Sequence, residues 1–141
     1  MTTSPRAVTI EFAMPDKVLN ANDRLHWAVK SKRVKAWRRS CYLAAIKAQR
    51  RGALERVEWD RNAKHEIGIS IPVVSLNIRR DGANWHPTLK AAIDGLVDHG
   101  MLPDDSGRYV VTSEPTFHAV RDNPRVVVTI TELCTNAKET P

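Results

Sequence analysis

The chain has 141 residues, enough for one domain whose core needs no disulfide or metal staple. Hydrophobic residues make up 42% and charged residues 27%, which excludes a disordered, collagen-like or coiled-coil chain, and no apolar run reaches the roughly 18 residues of a membrane span. Lys and Arg number 22 against 16 Asp and Glu, a formal charge of +6; such an excess marks a nucleic-acid surface when clustered and only solubility when spread.

Residues 1–5 and about 135–141 read as frayed tails around a single domain. The segment MTTSPRAVTIEF has no apolar signal region, so a cytoplasmic location is expected. Ala7 to Met14 alternates Val8, Ile10, Phe12 and Met14 against Thr9 and Glu11, the pattern of a half-buried strand. Pro15 ends it, and Asp16 to Asp23 reads as a loop. From about Leu25 to Arg51 the pattern becomes helical. Trp27, Val34, Trp37, Cys41, Ala44, Ala45 and Ala48 form its apolar stripe. Asn22 or Asp23 suits its start and Gly52 its end. Arg24, Lys30, Lys32, Arg33, Lys35, Arg38, Arg39, Lys47, Arg50 and Arg51 lie in this stretch with no acid among them. The basic excess is therefore clustered.

Glu66 to Ile78 reads as a strand whose phase slips beside Pro72, as at a bulge or a broken edge. A polar loop, Arg79 to Asn84, leads to a second helix with Pro87 in its first turn. Leu89, Ala92, Ile93, Leu96 and Val97 are its apolar face and Gly100 its stop. Tyr109 to Thr112 and Thr116 to Val120 read as short strand segments, and Arg125 to Leu133 as a strand. The order predicts a small single α/β domain, a mixed β-sheet packed with two main helices.

Cys41 and Cys134 lack the spacing of a thiolate metal site and read as free thiols. Acid concentrates between Asp81 and Asp105. Carboxylates inside a basic field suit phosphodiester hydrolysis, because hard oxygen ligands hold magnesium while Lys and Arg bind phosphate. Asp81 follows a strand, and Asp104 and Asp105 sit in a turn one helix later, so both ends can reach one sheet edge. Lys90 falls early in that helix. The plainer reading makes Asp81 and Asp104-Asp105 turn residues and Asp94 and Asp98 solvated helix charges, Asp94 pairing with Lys90 four residues earlier. His86 and Trp85 read first as packing or capping at the helix start. The five histidines show no metal-binding spacing.

The run RRDGANWHPTLKAAIDGLVDHGMLPDDS resembles the signature of the RusA-type Holliday junction resolvases. Asp81, Asn84, Lys90, Ala91, Ala92, Asp94, Leu96, Gly100, Asp104 and Asp105 match its order, and NANDRLHWA resembles the family's loop after the first strand. The resemblance spans about residues 7–133. It implies a RusA-like α/β homodimer, common in phages and prophages, that nicks four-way DNA junctions symmetrically in a Mg²⁺-dependent reaction. It assigns catalysis to Asp81, Asp105 and Lys90, with the two aspartates as metal ligands and Asp104 a weaker candidate beside Asp105; Asn84 would add a neutral oxygen to the metal. Arg24, Lys30, Lys32, Arg33, Lys35, Arg38, Arg79 and Arg80 would then hold phosphates. Ala83 stands where the family has a second aspartate. That departure leaves a weakly active or non-catalytic junction-binding protein as the alternative. It also favours Mn²⁺, which accepts neutral and nitrogen ligands more readily.

Overall fold

Alternation in three strands builds the floor of the core. In β1 (Ala7–Ala13), Val8, Ile10 and Phe12 are buried and their neighbours exposed. In β2 (His65–Val73), His65, Ile67, Ile69 and Ile71 face the same way, as do Val126, Val128 and Ile130 in the C-terminal strand, Arg125–Glu132. The computed structural model describes residues 6–21, 24, 26–77 and 80–133. Between these strands lie α1 (Trp27–Arg50), α2 (Ala53–Arg56), a 3-10 turn (Gly82–Trp85), α3 (His86–His99), β3 (Val110–Thr112) and β4 (Thr116–Ala119), so the C-terminal strand is β5. The sheet is mixed. β5 lies antiparallel between β1 and β2. β3 and β4 follow one another along the far edge of β2, both parallel to it. The fold is thus a small α/β domain with a mixed sheet packed against helices, as expected.

Helices α1 and α3 cover the apolar face. Trp37, Cys41, Ala44, Ala45 and Ala48 of α1 and Leu89, Ala92, Ile93 and Leu96 of α3 are buried over it. Burying a large aliphatic side chain contributes about 1.5–3 kcal/mol, so this layer holds the domain together. The two helices cross where Gly95 faces α1. A Cβ there would lie 3.0 Å from Cys41 Cβ and 3.1 Å from the Tyr42 nitrogen. The segment before α1 is pinned to both helices. Trp37 Nε1 donates to the Lys17 carbonyl at 3.0 Å. The buried Thr88 hydroxyl accepts from the Leu19 N–H and donates to the Leu19 carbonyl, each at 2.8 Å.

Several expectations need correction. β2 stops at Val73, and Val74 and Leu76 are exposed. The slip beside Pro72 marks the strand's end rather than a bulge, because the parallel partner β4 finishes at the same level; Ile78 lies outside the described residues. Helix α1 starts at Trp27, capped by His26 Nδ1 accepting from the Ala28 N–H; Asn22, Asp23 and Leu25 lie outside the described residues. Trp27 is off the apolar stripe and 75% exposed. After Gly52, at φ 78°, the chain makes the unforeseen α2. Pro87 and Gly100, the latter at φ 98°, bound α3 as expected. Cys41 is a buried free thiol, its pKa pushed up by burial so that it stays protonated; Cys134 is outside the described residues.

Candidate active site and nucleic-acid face

The site begins with a loop that folds onto itself. Asp81 Oδ1 accepts from the Ala83 N–H at 3.1 Å, and the Asp81 carbonyl accepts from the Asn84 N–H at 3.0 Å. This aspartate therefore starts the 3-10 turn, as an Asx-type cap does. The Asn84 carbonyl accepts from the Ala21 N–H at 2.6 Å, so the segment after β1 and the Asp81–Asn84 loop are joined at the N-terminal end of α3. Trp85 anchors the loop, edge-on to Phe117 with centroids 5.3 Å apart. Gly82 rests on the β3–β4 link, where a Cβ would lie 2.5 Å from the Pro115 carbonyl oxygen.

Lys90 lies one turn into α3. Its ammonium donates to Asp94 Oδ1 at 2.8 Å and to Asp105 Oδ2. The turn after α3 thus runs back along the helix far enough to bring Asp105 beside Lys90. The hydrogen bond and charge of Lys90 hold the Asp105 carboxyl below the usual carboxylate range. Reciprocally, Asp105 and Asp94 hold the Lys90 ammonium above its ordinary value. Asp104 points elsewhere. Its Oδ1 accepts from the Ser106 N–H at 2.8 Å, and Ser106 lowers its pKa. Asp104 is thus a turn residue, bound into its own loop.

The structure therefore joins Lys90, Asp94 and Asp105 and sets Asp81 and Asn84 in the neighbouring loop. Among the described residues, no three His, Cys, Asp or Glu side chains gather closely enough to hold a metal ion. Asp81, Asp104 and Asp105 do not form a ready-made cage. The donors are nevertheless carboxylate and amide oxygens, the chemistry that Mg²⁺ takes. It is commonly held by one or two carboxylates together with waters and substrate phosphate.

The basic helix divides into free and committed charges. Lys30, Lys32 and Lys35 are exposed along the first half of α1. Arg33 is 3.7 Å from Asp16 and mostly covered. Arg38 closes on Asp98 with two bonds, Nε to Oδ2 at 2.5 Å and Nη2 to Oδ1 at 2.7 Å. That fork holds the Asp98 carboxyl below its usual range. Asp98 is thus a helix–helix tie and not a solvated charge. Lys35, Arg38, Arg39, Tyr42 and Asp98 line a shallow cavity of about 370 Å³. Arg80 donates to the Ser75 carbonyl at 2.9 Å and lies over the Phe117 ring, so it shapes the loop as well as adding charge. Arg24 is exposed; Arg79 lies outside the described residues.

Sequence reasoning missed Glu114, which no motif singles out and which the fold brings against Gly82. It also missed Thr88, whose hydroxyl fixes the loop after β1. Its only signal was a polar residue on the buried side of α3. No protein-family model matches the chain, and no curated protein does.

Proposed function

We propose that this protein is a RusA-like, metal-dependent endonuclease that nicks branched DNA. The observation that carries the reading is the Lys90–Asp105 contact, one turn into the helix that the Asp81–Asn84 loop opens, in a chain whose α1 bears an acid-free run of cations. Asp81 and Asp105, with Asn84, would hold Mg²⁺; Asp104, bound into its own turn, is the weakest of the expected ligands. The bound metal would neutralise phosphate charge and lower the pKa of the attacking water. Lys90 keeps Asp105 ionised and places an ammonium where charge develops on phosphate oxygen. The exposed lysines of α1 hold the DNA backbone, favouring branched shape over base sequence. A symmetric dimer would set one site on each of two opposed strands of a junction. No helix among the described residues is long and apolar enough to cross a membrane, which fits action on DNA in the cytoplasm, or in a host cytoplasm if a phage encodes the protein.

Ala83 favours a second reading, a junction-binding protein that cuts slowly or not at all. One experiment separates the two. Four-way, flap and linear DNA are incubated with the protein in Mg²⁺, Mn²⁺ or EDTA. Paired, metal-dependent nicks on the four-way junction support the endonuclease. Junction-selective binding without nicks in either metal supports the binder.

A further inference from the structure

The turn that carries Asp105 is held at both ends by one short stretch of chain, residues 59–65. Its crown offers no anchor. Asp104 to Arg108 are all exposed, and Asp104 and Ser106 bond to each other within the turn. The place of Asp105 is therefore inherited from how the turn leaves α3 and how it enters β3. At the exit from α3, the Trp59 indole N–H donates to the Met101 carbonyl at 3.0 Å, and Arg61 Nε donates to the Gly100 carbonyl at 2.9 Å. At the entry to β3, the His65 N–H donates to the Tyr109 carbonyl at 2.8 Å. The two clamps form one unit. The Trp59 ring lies on the His65 ring, with centroids 4.3 Å and planes 18° apart, and His65 is fully buried.

Trp59 reaches this place at a conformational cost. Glu58, just before it, has φ 53°, in the left-handed region that a residue with a Cβ rarely enters. The Trp59 N–H then closes back on the Leu54 carbonyl at 3.0 Å. Such strain persists where the surrounding contacts over-determine it. Burial of Met101 and Leu102 sets the depth of the turn's first residues, but burial has no direction. A hydrogen bond does. The indole bond to Met101 is part-buried and the Arg61 bond exposed, so water replaces the second more readily than the first. We propose that Trp59 is a positioning residue of the candidate site, its indole N–H setting the direction in which the chain leaves α3 and so keeping Asp105 on Lys90. The catalytic consequence rests on the endonuclease reading above; the tie between Trp59 and Asp105 does not.

The test compares Trp59→Phe, which keeps a ring over His65 and loses the N–H, with Trp37→Phe, which loses an indole bond of the same length to the Lys17 carbonyl. Backbone NMR relaxation reads the order of Asp105 and Ser106 without DNA or metal. Trp59→Phe is expected to lower the order parameters of both residues, while Trp37→Phe leaves them at wild-type values. Arg61→Leu, a change at an exposed position, should lower them less, and it carries the test if Trp59→Phe does not fold. Wild-type order at Asp105 in a folded Trp59→Phe, or equal loosening in both Trp variants, would overturn the proposal. So would wild-type order in Arg61→Leu where Trp59→Phe is unfolded. On four-way junctions Trp59→Phe is expected to lower kcat by about tenfold, within the ~100-fold that a misplacement of about 1 Å can cost, with gel-shift binding in Ca²⁺ unchanged. In a Lys90→Met background the same substitution should add little, because the contact it serves is already gone. An equal loss in that background would overturn action through the Lys90–Asp105 contact. A wild-type protein that nicks no junction would sink the endonuclease reading, and the relaxation result would still decide whether Trp59 positions Asp105.

Discussion

The ammonium of Lys90 grips two aspartates at once, Asp94 on its own helix at 2.8 Å and Asp105 from the turn that follows. Asp94 is the neighbour that helix spacing dictates. Asp105 is there because the turn after Gly100 reverses along α3. The ammonium thus occupies the position of a cation between carboxylates.

Replacing Lys90 by Met should raise the Asp105 pKa back toward the ordinary carboxylate range, since the hydrogen bond and charge that lower it are gone. Carboxyl-detected NMR titration reads this directly. The same variant should nick junctions more slowly, while Asp81→Asn and Asp105→Asn should abolish nicking and leave gel-shift binding in Ca²⁺ intact or tighter. Full cleavage by both asparagine variants would remove the mechanism. Turn aspartates tolerate Asn, so persistence of cleavage is what a purely structural role requires.

Gly95→Ala should destabilise the domain by about 1–2 kcal/mol, despite the ~1 kcal/mol helix preference for alanine. The reason is the close approach of α3 to the α1 backbone at Tyr42 and to Cys41. Gly107→Ala is the control, because a Cβ there meets nothing within 4 Å. Urea unfolding of both variants checks the difference. A more stable Gly95→Ala protein would mean the helices separate at little cost.

His65 is fully buried, stacked on Trp59 with centroids 4.3 Å apart, and neither ring nitrogen has a hydrogen-bond partner among the described residues. Burial lowers its pKa from 6.5, partly offset by the charges of Glu132 and Asp60 and by the Ala63 backbone. The unfolded chain therefore takes up this proton first. The stability contribution is fully present above pH 6.5, falls as pH drops below it, and levels off below the lowered folded value. His99, also lowered by burial, contributes with the same sign. Urea unfolding at stepped pH values below 6.5 should show the wild-type protein losing stability more steeply than His65→Phe. Equal slopes would show that His65 is not held neutral.

Lys30, Lys32 and Lys35 replaced together by Ala should weaken junction binding and reduce the slope of log K against log salt by about 2–3, near 0.9 for each phosphate no longer neutralised. Fluorescence anisotropy across a salt series measures it. Replacing Arg38 should instead lower stability, because its guanidinium is committed to Asp98. An unchanged slope in the triple variant would take this face of α1 off the DNA.

Local chemistry was legible in the sequence wherever a side chain answers to its neighbours along the chain. Alternation in β1 and β5, the Pro87 and Gly100 boundaries of α3, the Lys90–Asp94 pair and the clustered cations of α1 follow from periods of two and 3.6 and from backbone constraints. Tertiary structure decided what depends on partners distant in sequence. Parallel β4 ends where β2 does, so the apolar residues Val74 and Leu76 stay outside the strand. The α1–α3 crossing at Gly95 turned Arg38 and Asp98 into a mutual tie. The turn after α3 delivered Asp105 to Lys90, and the β3–β4 link delivered Glu114 to Gly82. Each of these is a through-space approach fixed by how rigid elements pack, and no periodicity along the chain encodes which distant residue will arrive.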